Sequence, residues 1–401
     1  MSQLSFHPRT NSNSIIYFLI AFTIFINPLL EAPKNIAMVL TLLVVIYYGI
    51  TEKKARIWSG WDLFFALYII AYVVAAPFSA YHTDPTALTD IARYMVFGWV
   101  IYRADFNERQ KLGLVSWAVF GTFIGLIYGA WDHYYLGNGQ YWTLNSVGHV
   151  NHAAIYNAII CGMAITVLFT YWSRFTAGKR TLWLAMLALS LVYVTFGESR
   201  ATFGAIIAVV LALSIGFARR GKRFLLLPIF FIIGFVGIAL LSNARVIVKQ
   251  ENNAHADNIL SYRATIWRSA INSIEQHPLF GVGKDNFHYI DIKWGDKTPI
   301  FNNVSHAHNL YINVLAESGI WGFCWVFGLL GAMGITLLRY LPKKNAPLAS
   351  WNSWGITCSA LVITLVVGLV NTPFHHETGN LTMLCFALWI SQYRQDKQRF
   401  I

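Results

Sequence analysis

Charge is what this sequence has least of. Asp, Glu, Lys and Arg make up 12% of 401 residues, where an ordinary soluble domain carries about a quarter. With 56% apolar residues and a mean hydropathy of +0.49, that scarcity excludes a water-soluble globule. Cysteine is also rare: Cys161, Cys324, Cys358 and Cys385 all fall in apolar runs, and no CxxC occurs. A disulfide frame and a cysteine metal site are both excluded, and the thiols read as small packing residues. No DxD is present, so the usual signature of metal-dependent, nucleotide-sugar glycosyltransferases is missing. GxSxG and HExxH are missing as well. The segment Ser2 to Ser14 is polar, and no small-residue cleavage site follows the first apolar run. We therefore expect no cleaved signal peptide.

What the chain has instead is apolar length. Twelve runs lie near 14–30, 36–50, 61–80, 88–102, 112–131, 153–172, 181–196, 201–218, 224–241, 319–338, 354–371 and 380–393. A bilayer crossing takes roughly 20 such residues. The run at 88–102 fits least well, because it contains Asp90 and Arg93. The expected fold is an all-α polytopic integral membrane protein of about twelve transmembrane helices. The sequence has 30 Lys and Arg against 18 Asp and Glu, a net charge of +12. These cations cluster in alternate short loops, such as Arg174, Lys179 and Arg180, then Arg219, Arg220, Lys222 and Arg223. The loops between are nearly free of them: Asp132 to His152 has none. This is the positive-inside pattern. It puts both termini in the cytoplasm and makes the basic charge a marker of topology, with no nucleic-acid partner. One membrane domain results, with helices 1–9 in residues 1–241, a large outer loop in 242–308, and helices 10–12 with a cytoplasmic tail in 309–401.

The polar chemistry maps to the outer face. Of twelve histidines, only His7 falls on the inner side. The short, basic inner loops account for part of this bias, and an outward-facing site accounts for it equally well. The outer loop is long enough to be functional. Within it, Tyr262 to Gln276 has Ile266, Trp267, Ala270, Ile271 and Ile274 at helical spacing, and Pro278 stops the helix. Arg263 and Arg268 lie on that helix, and a guanidinium fork suits phosphate oxygens. GVGKDNF, Gly281 to Phe287, is no phosphate loop, since it lacks GxxxxGK[ST]. Arg200, in GESRATFGA, sits at the outer end of a span. Such a charge is usually paired or functional, and pairing with Glu198 or snorkelling is the structural reading.

SHAHNLYINVLAESGIWG, Ser305 to Gly322, gathers His306, His308 and Glu317. On a continuous helix the two histidines would point about 200° apart, a poor arrangement for one metal ion. Asn309, Asn313 and Glu317 would form a polar stripe on another face. His308 suits proton acceptance near neutral pH; a capping or interfacial role is the structural alternative. NTPFHHETGN brings His375 and His376 to another outer loop, with a structural or substrate-contacting role. In GHVNH, His149 and His152 read as caps of the sixth span.

Three of these stretches, in order, resemble the signatures of the O-antigen ligase family. They are SRATF at 199–203, YRATIW followed by HPLFGVGKDNF at 262–287, and HNLYINVLAESGIWG at 308–322. O-antigen polymerases and bacterial O-linked oligosaccharyltransferases are looser relatives. Phe323 stands where the family pattern has Thr or Val, a change in packing and not in chemistry. The resemblance implies a fold like the membrane C-type glycosyltransferases and an inverting transfer that uses neither cofactor nor metal. The donor would be a glycan on undecaprenyl diphosphate, and the acceptor a sugar of lipid A–core. The site would face the periplasm from the inner membrane, among membrane lipids. Carried over by position, His308 is the essential histidine, and Arg200 and Arg263 hold the diphosphate. His306, Asn309, Glu317, Arg268, His375 and His376 are candidates for support. Protein O-oligosaccharyltransferase and O-antigen polymerase remain alternatives within the family. A transporter or lipid flippase is the alternative of another class, against which the few charges at mid-span count.

Overall fold

The computed structural model describes residues 10–51, 59–104, 106–138, 141–196, 199–241, 263–292 and 304–399. Among them are thirteen α-helices. These are α1 (Thr10–Ile26), α2 (Glu31–Thr51), α3 (Gly60–Ala75), α4 (Pro85–Arg103), α5 (Glu108–Tyr134), α6 (Val150–Tyr171) and α7 (Ala177–Phe196). Then come α8 (Arg200–Phe217), α9 (Leu227–Leu241), α10 (Arg263–Gln276), α11 (Leu310–Arg339), α12 (Leu348–Gly368) and α13 (His376–Arg399). A helix lies over each apolar run, and α10 is the helix read in the outer loop. Eight are long and apolar enough to cross a membrane: α2, α3, α5, α6, α7, α8, α11 and α12. Helix α1 is apolar but shorter. Helices α4 and α13 depart from the span pattern for a physical reason. Much of each faces protein: Ile91, Met95 and Ile101 of α4 and Leu381 to Ile390 of α13 are buried, and the two helices pack on each other. The structure is thus a polytopic, all-helical membrane protein.

Helix α6 is the axis of the bundle. Ala153 to Met163 are all fully buried, and α6 touches α5, α7, α8, α12 and α13. Small residues bring its neighbour α12 close. A Cβ on Gly162 would lie 2.5 Å from Ser359 Cβ, and one on Gly355 would lie 2.5 Å from Thr166 Cγ2. Without a hydrophobic drive between helices in lipid, such close packing is what holds them together. The outward faces are apolar: Phe18, Ile215 and Leu338 are 68%, 69% and 84% exposed, as a lipid-facing belt requires.

At one end of the bundle, buried charges are tied down. Asp62 accepts hydrogen bonds from the Ser59 amide at 2.7 Å and from Trp99 Nε1 at 2.8 Å, and faces Arg103 at 3.5 Å. Lys111, 1% exposed, donates to Gln392 and Gln395 of α13 at 2.9 and 2.7 Å. The four cysteines are free thiols; Cys161 and Cys385 are buried in the core.

At the opposite end, α11 is broken. Gly319 has φ +58° and ψ −165° inside the helix. The break frees backbone groups on both sides, and residues 278–283 fill the gap. Val282 and Gly283 amides donate to the Ala316 and Glu317 carbonyls at 2.9 Å each. Ile320 and Trp321 amides donate to Pro278 and Leu279 carbonyls at 2.8 and 3.1 Å. The far edge of the same segment takes the amides of Ala80 and Tyr81 onto the carbonyls of Gly281 and Val282 at 3.0 and 3.2 Å. Asn286 locks the turn by donating to the His82 and Val282 carbonyls at 3.0 and 3.2 Å. Only glycine fits at the break, since a Cβ on Gly319 would sit 2.3 Å from the Leu279 carbonyl, besides the strain of its positive φ. This explains HPLFGVGKDNF and ESGIWG as two halves of one joint. The joint also ties the outer loop to the bundle.

Candidate functional site

The joint positions the histidine stretch. Trp267 of α10 donates from Nε1 to the Ala307 carbonyl at 2.9 Å, and the Ala307 amide donates to Asn313 Oδ1 at 2.8 Å. Asn309 caps α11: its Oδ1 accepts from the Ile312 amide at 3.0 Å, while its Nδ2 reaches the Leu369 carbonyl at 2.9 Å. A small core of Ile266, Ala270, Phe287, Ile292, Ala307 and Ala316 lies beneath. His308 is thereby held at φ +50°, a strained conformation for a residue with a Cβ.

One expectation is corrected here. His306 and His308 both precede α11, so the helical angle between them does not apply. Their rings are 4.2 Å apart and form one unit. Asn313 and Glu317 do share a face of α11 and line one cavity, but each residue of the Asn309, Asn313 and Glu317 stripe has its own task. Asn309 is the cap, Asn313 holds the Ala307 amide, and Glu317 pairs with Lys284 at 3.0 Å. That pair also disposes of Lys284 as a loose phosphate-loop lysine. Burial opposes its charge, but Glu317, with Asp285 and Tyr72, outweighs burial and holds the ammonium above its ordinary value.

Arg200 is the first residue of α8, after the N-cap Ser199, and Arg263 is the first of α10. Each guanidinium therefore adds to the positive end of a helix dipole. The two feel each other: burial, then the Arg200 charge, pull the Arg263 guanidinium below its usual value. Arg263 Nε is buried with no hydrogen-bond partner. His308 is close enough to respond. Burial, Arg263 and then His149 pull its imidazole down from 6.5 to about 4, and its Nδ1 is buried without a partner. His308 is thus neutral at physiological pH, with a ring nitrogen open among the described residues and the Arg263 cation near it. Glu198, the partner considered for Arg200, lies outside the described residues, as does Tyr262 at the head of the expected outer helix.

Beside this group a cavity of about 210 Å³ opens, lined by Asp90, His152, Lys284, His306, Glu317 and His375 among others. His375 and His376 therefore do join the site. Their rings are 4.7 Å apart, and His376 Nδ1 lies 3.0 Å from Asp90 Oδ2. Arg268 is exposed on α10 and, like Arg200, Arg263 and His308, is not among the residues lining this cavity. His149 caps α6, its Nδ1 accepting from the Asn151 amide at 3.2 Å. His152 does more than cap, since its ring is 4.6 Å from that of His375.

Sequence reasoning missed three members. Asp90 had stood out only as an awkward charge in a span. It is paired with Arg93 and His376. Lys34, fully buried, forms an ion pair with Glu377 and donates to Ser146 at 3.1 Å. Its signal was a lone lysine at the mouth of an apolar run on the side poor in lysine. His152 was dismissed as a cap. Among the described residues, no group of three or more His, Cys, Asp or Glu is placed to hold a metal ion.

A buried basic site at one end of an all-helical membrane bundle defines the class. Residues 184–327 match the family model described as O-antigen ligase. The match runs from α7 into α11 and contains Arg200, Arg263 and His308. A curated relative is an uncharacterized protein of Haemophilus influenzae strain Rd, 22% identical over 177 residues. That similarity covers 37% of this chain and 42% of the relative, so the chain spans about two-fifths of its length.

Proposed function

We propose that this chain is an O-antigen ligase of the inner membrane. In this reading it moves a glycan from undecaprenyl diphosphate to a sugar hydroxyl of lipid A–core on the periplasmic face, with twelve crossings and both termini inside. The observation that carries the reading is the grouping of two mutually repelling arginines with a neutral histidine whose ring nitrogen is open. Two guanidinium groups that repel each other point to an anion as ligand. A diphosphate is the anion that leaves as a glycosidic bond breaks. Arg200 and Arg263 stabilise the charge that grows on it in a partly dry site, where such stabilisation is strongest. His308 takes the acceptor proton as the hydroxyl attacks C1 from the opposite face, and a single displacement inverts the centre. The donor carries its own leaving group, so no nucleotide is consumed, and the arginine pair does the work a metal ion does elsewhere.

The test is the surface of a strain lacking the gene. Lipid A–core without O-antigen, with capsule and glycoproteins intact, is the expected result. Loss of glycoprotein glycans with intact O-antigen would assign the chain to protein O-oligosaccharyl transfer, and short O-antigen chains still attached to core would assign it to polymerisation. Ligation by purified protein is expected to persist in excess chelator without nucleotide.

A further inference from the structure

A base that accepts one proton per transfer must release it before the next, and His308 is only partly open to water. The structure offers a route. Five imidazoles run from His308 across the cavity wall to its mouth. Ring centres are 4.2 Å apart from His308 to His306, 6.0 Å from His306 to His152, 4.6 Å from His152 to His375, and 4.7 Å from His375 to His376. The series ends where His376 Nδ1 meets Asp90 Oδ2 at 3.0 Å, with His376 49% and Asp90 34% exposed. Two in-plane imidazoles joined by one hydrogen bond have centres roughly 5 Å apart, given an N···N separation near 3 Å. Ring rotation closes the three shorter gaps, and the 6.0 Å gap from His306 to His152 needs one bridging water. The members come from four parts of the chain: α4, the start of α6, the stretch before α11 and the loop into α13. Folding alone brings them together.

We propose that His306, His152, His375 and His376 form a proton relay that carries the proton taken by His308 to Asp90 and the periplasmic water. The proposal rests on His308 being the base in the transfer described above. The balance is simple. The acceptor O–H bond breaks, and its proton goes to a ring nitrogen of His308. The new C1–O bond forms as the C1–phosphate oxygen bond breaks, leaving its electron pair on the diphosphate. The proton then moves from imidazole to imidazole, each accepting on one nitrogen and releasing from the other, and leaves at Asp90.

Three observations fit a conduit better than a packing cluster. His375 Nδ1 is buried with no partner, as is His308 Nδ1, so both ends of the buried stretch hold an open nitrogen. Burial keeps the resting chain uncharged: it pulls His306 down to about 3 and His375 well below the usual histidine value, with neighbouring imidazoles and Lys284 adding to it. Finally, the charges facing the series differ between its two ends. Arg263 and His149 act on His308, and His149 also acts on His306 and His152. Lys284, paired with Glu317, acts on His306, His375 and Asp90, while Glu377 is held by Lys34. The carboxylate at the mouth is Asp90, with one oxygen on His376 and the other on Arg93. A proton moves away from Arg263 toward that carboxylate.

The relay is tested on the purified full chain, with an undecaprenyl diphosphate-linked oligosaccharide as donor and rough lipopolysaccharide as acceptor. Turnover and donor binding are measured across a series of imidazole buffer concentrations. His152→Gln and His375→Gln are expected to bind donor normally and to lose on the order of tenfold in turnover in dilute buffer, part of the roughly 10²–10⁴-fold that proton transfer supplies. Concentrated imidazole should restore most of it, since a small diffusible base replaces the missing relay member. His376→Gln and Asp90→Asn, at the exposed end, should show a smaller loss with the same buffer rescue. If His152→Gln or His375→Gln does not fold, these two carry the test. An equal loss at every buffer concentration, or no loss at all, overturns the relay. The underlying base assignment fails separately: His308→Ala turning over near the parent rate would remove it, whatever the buffer series shows.

Discussion

The two ends of the bundle differ in what they leave unpaired. At the end with Asp62 and Lys111, both side chains have all but vanished from the surface, and each is held by several partners. At the opposite end the Lys34–Glu377 and Lys284–Glu317 pairs are closed too, but Arg263 Nε, His308 Nδ1 and His375 Nδ1 are buried with no partner among the described residues. Buried unpaired atoms occur elsewhere among the described residues, but they are hydroxyls, amides and indoles. A buried polar group that is fully satisfied rigidifies a fold, while one left open costs free energy until something arrives to meet it. The paired charges therefore read as architecture, and the open groups as a site waiting for an anion and a proton.

This contrast has measurable consequences, and the largest separate stability from activity. Asp62→Ala should destabilise the folded protein by about 3 kcal/mol, the low end for a buried pair because Arg103 is partly exposed. Ligation by the surviving folded fraction should be unchanged. The readout is thermal unfolding in detergent beside specific activity. Arg200→Ala and Arg263→Ala should do the reverse. Each should lower ligation on the order of 10²–10³-fold, as loss of a preorganised donor to a developing anion does, with unfolding unmoved or slightly later as the two cations no longer repel. Lysine at either position should rescue only in part, since it keeps charge and loses the fork. An arginine variant that loses stability instead of activity would erase the distinction between the two ends.

A smaller effect lies in the pH profile. Because burial and Arg263 hold His308 near 4, the base is already deprotonated at pH 6. The acid limb of kcat/KM, which reports the free protein, should fall near 4 and not near 6.5. A bound diphosphate offsets the arginine charge and favours the imidazolium, so the limb of kcat should lie higher than that of kcat/KM. Arg263→Lys should leave the free-protein limb in place, because it keeps the charge. For stability the sign is the same: a histidine depressed in the folded state contributes fully above pH 6.5 and loses that contribution as pH falls toward 4. The smallest expected effect is at Arg268. It is exposed, so Arg268→Ala should change ligation less than twofold, on the scale of about 0.5 kcal/mol or less typical of surface substitutions.

How much of this was legible beforehand follows from the range of each interaction. Helices came through because apolar periodicity is local, and α10 was readable down to its Pro278 stop. Arg200, Arg263 and His308 were legible only through their motifs. Nothing in their spacing brings them together, and the fold does so by joining residues 278–283 to the break at Gly319. The angle between His306 and His308 was misjudged by extending a helix backwards past its cap, although Asn309 is a strong N-cap type. Asp90 with His376, Lys34 with Glu377, and His152 with His375 are separated by hundreds of residues, and no pattern in one sequence reports such pairs.

The most direct test of the central claim is made on His308→Ala, in detergent, with donor binding and glycan transfer measured on the same sample. The account predicts that the variant folds, binds the undecaprenyl diphosphate-linked donor as the parent does through Arg200 and Arg263, and fails to transfer the glycan. Transfer at near the parent rate, or loss of donor binding together with transfer, would show that His308 is not the base and contradict the account.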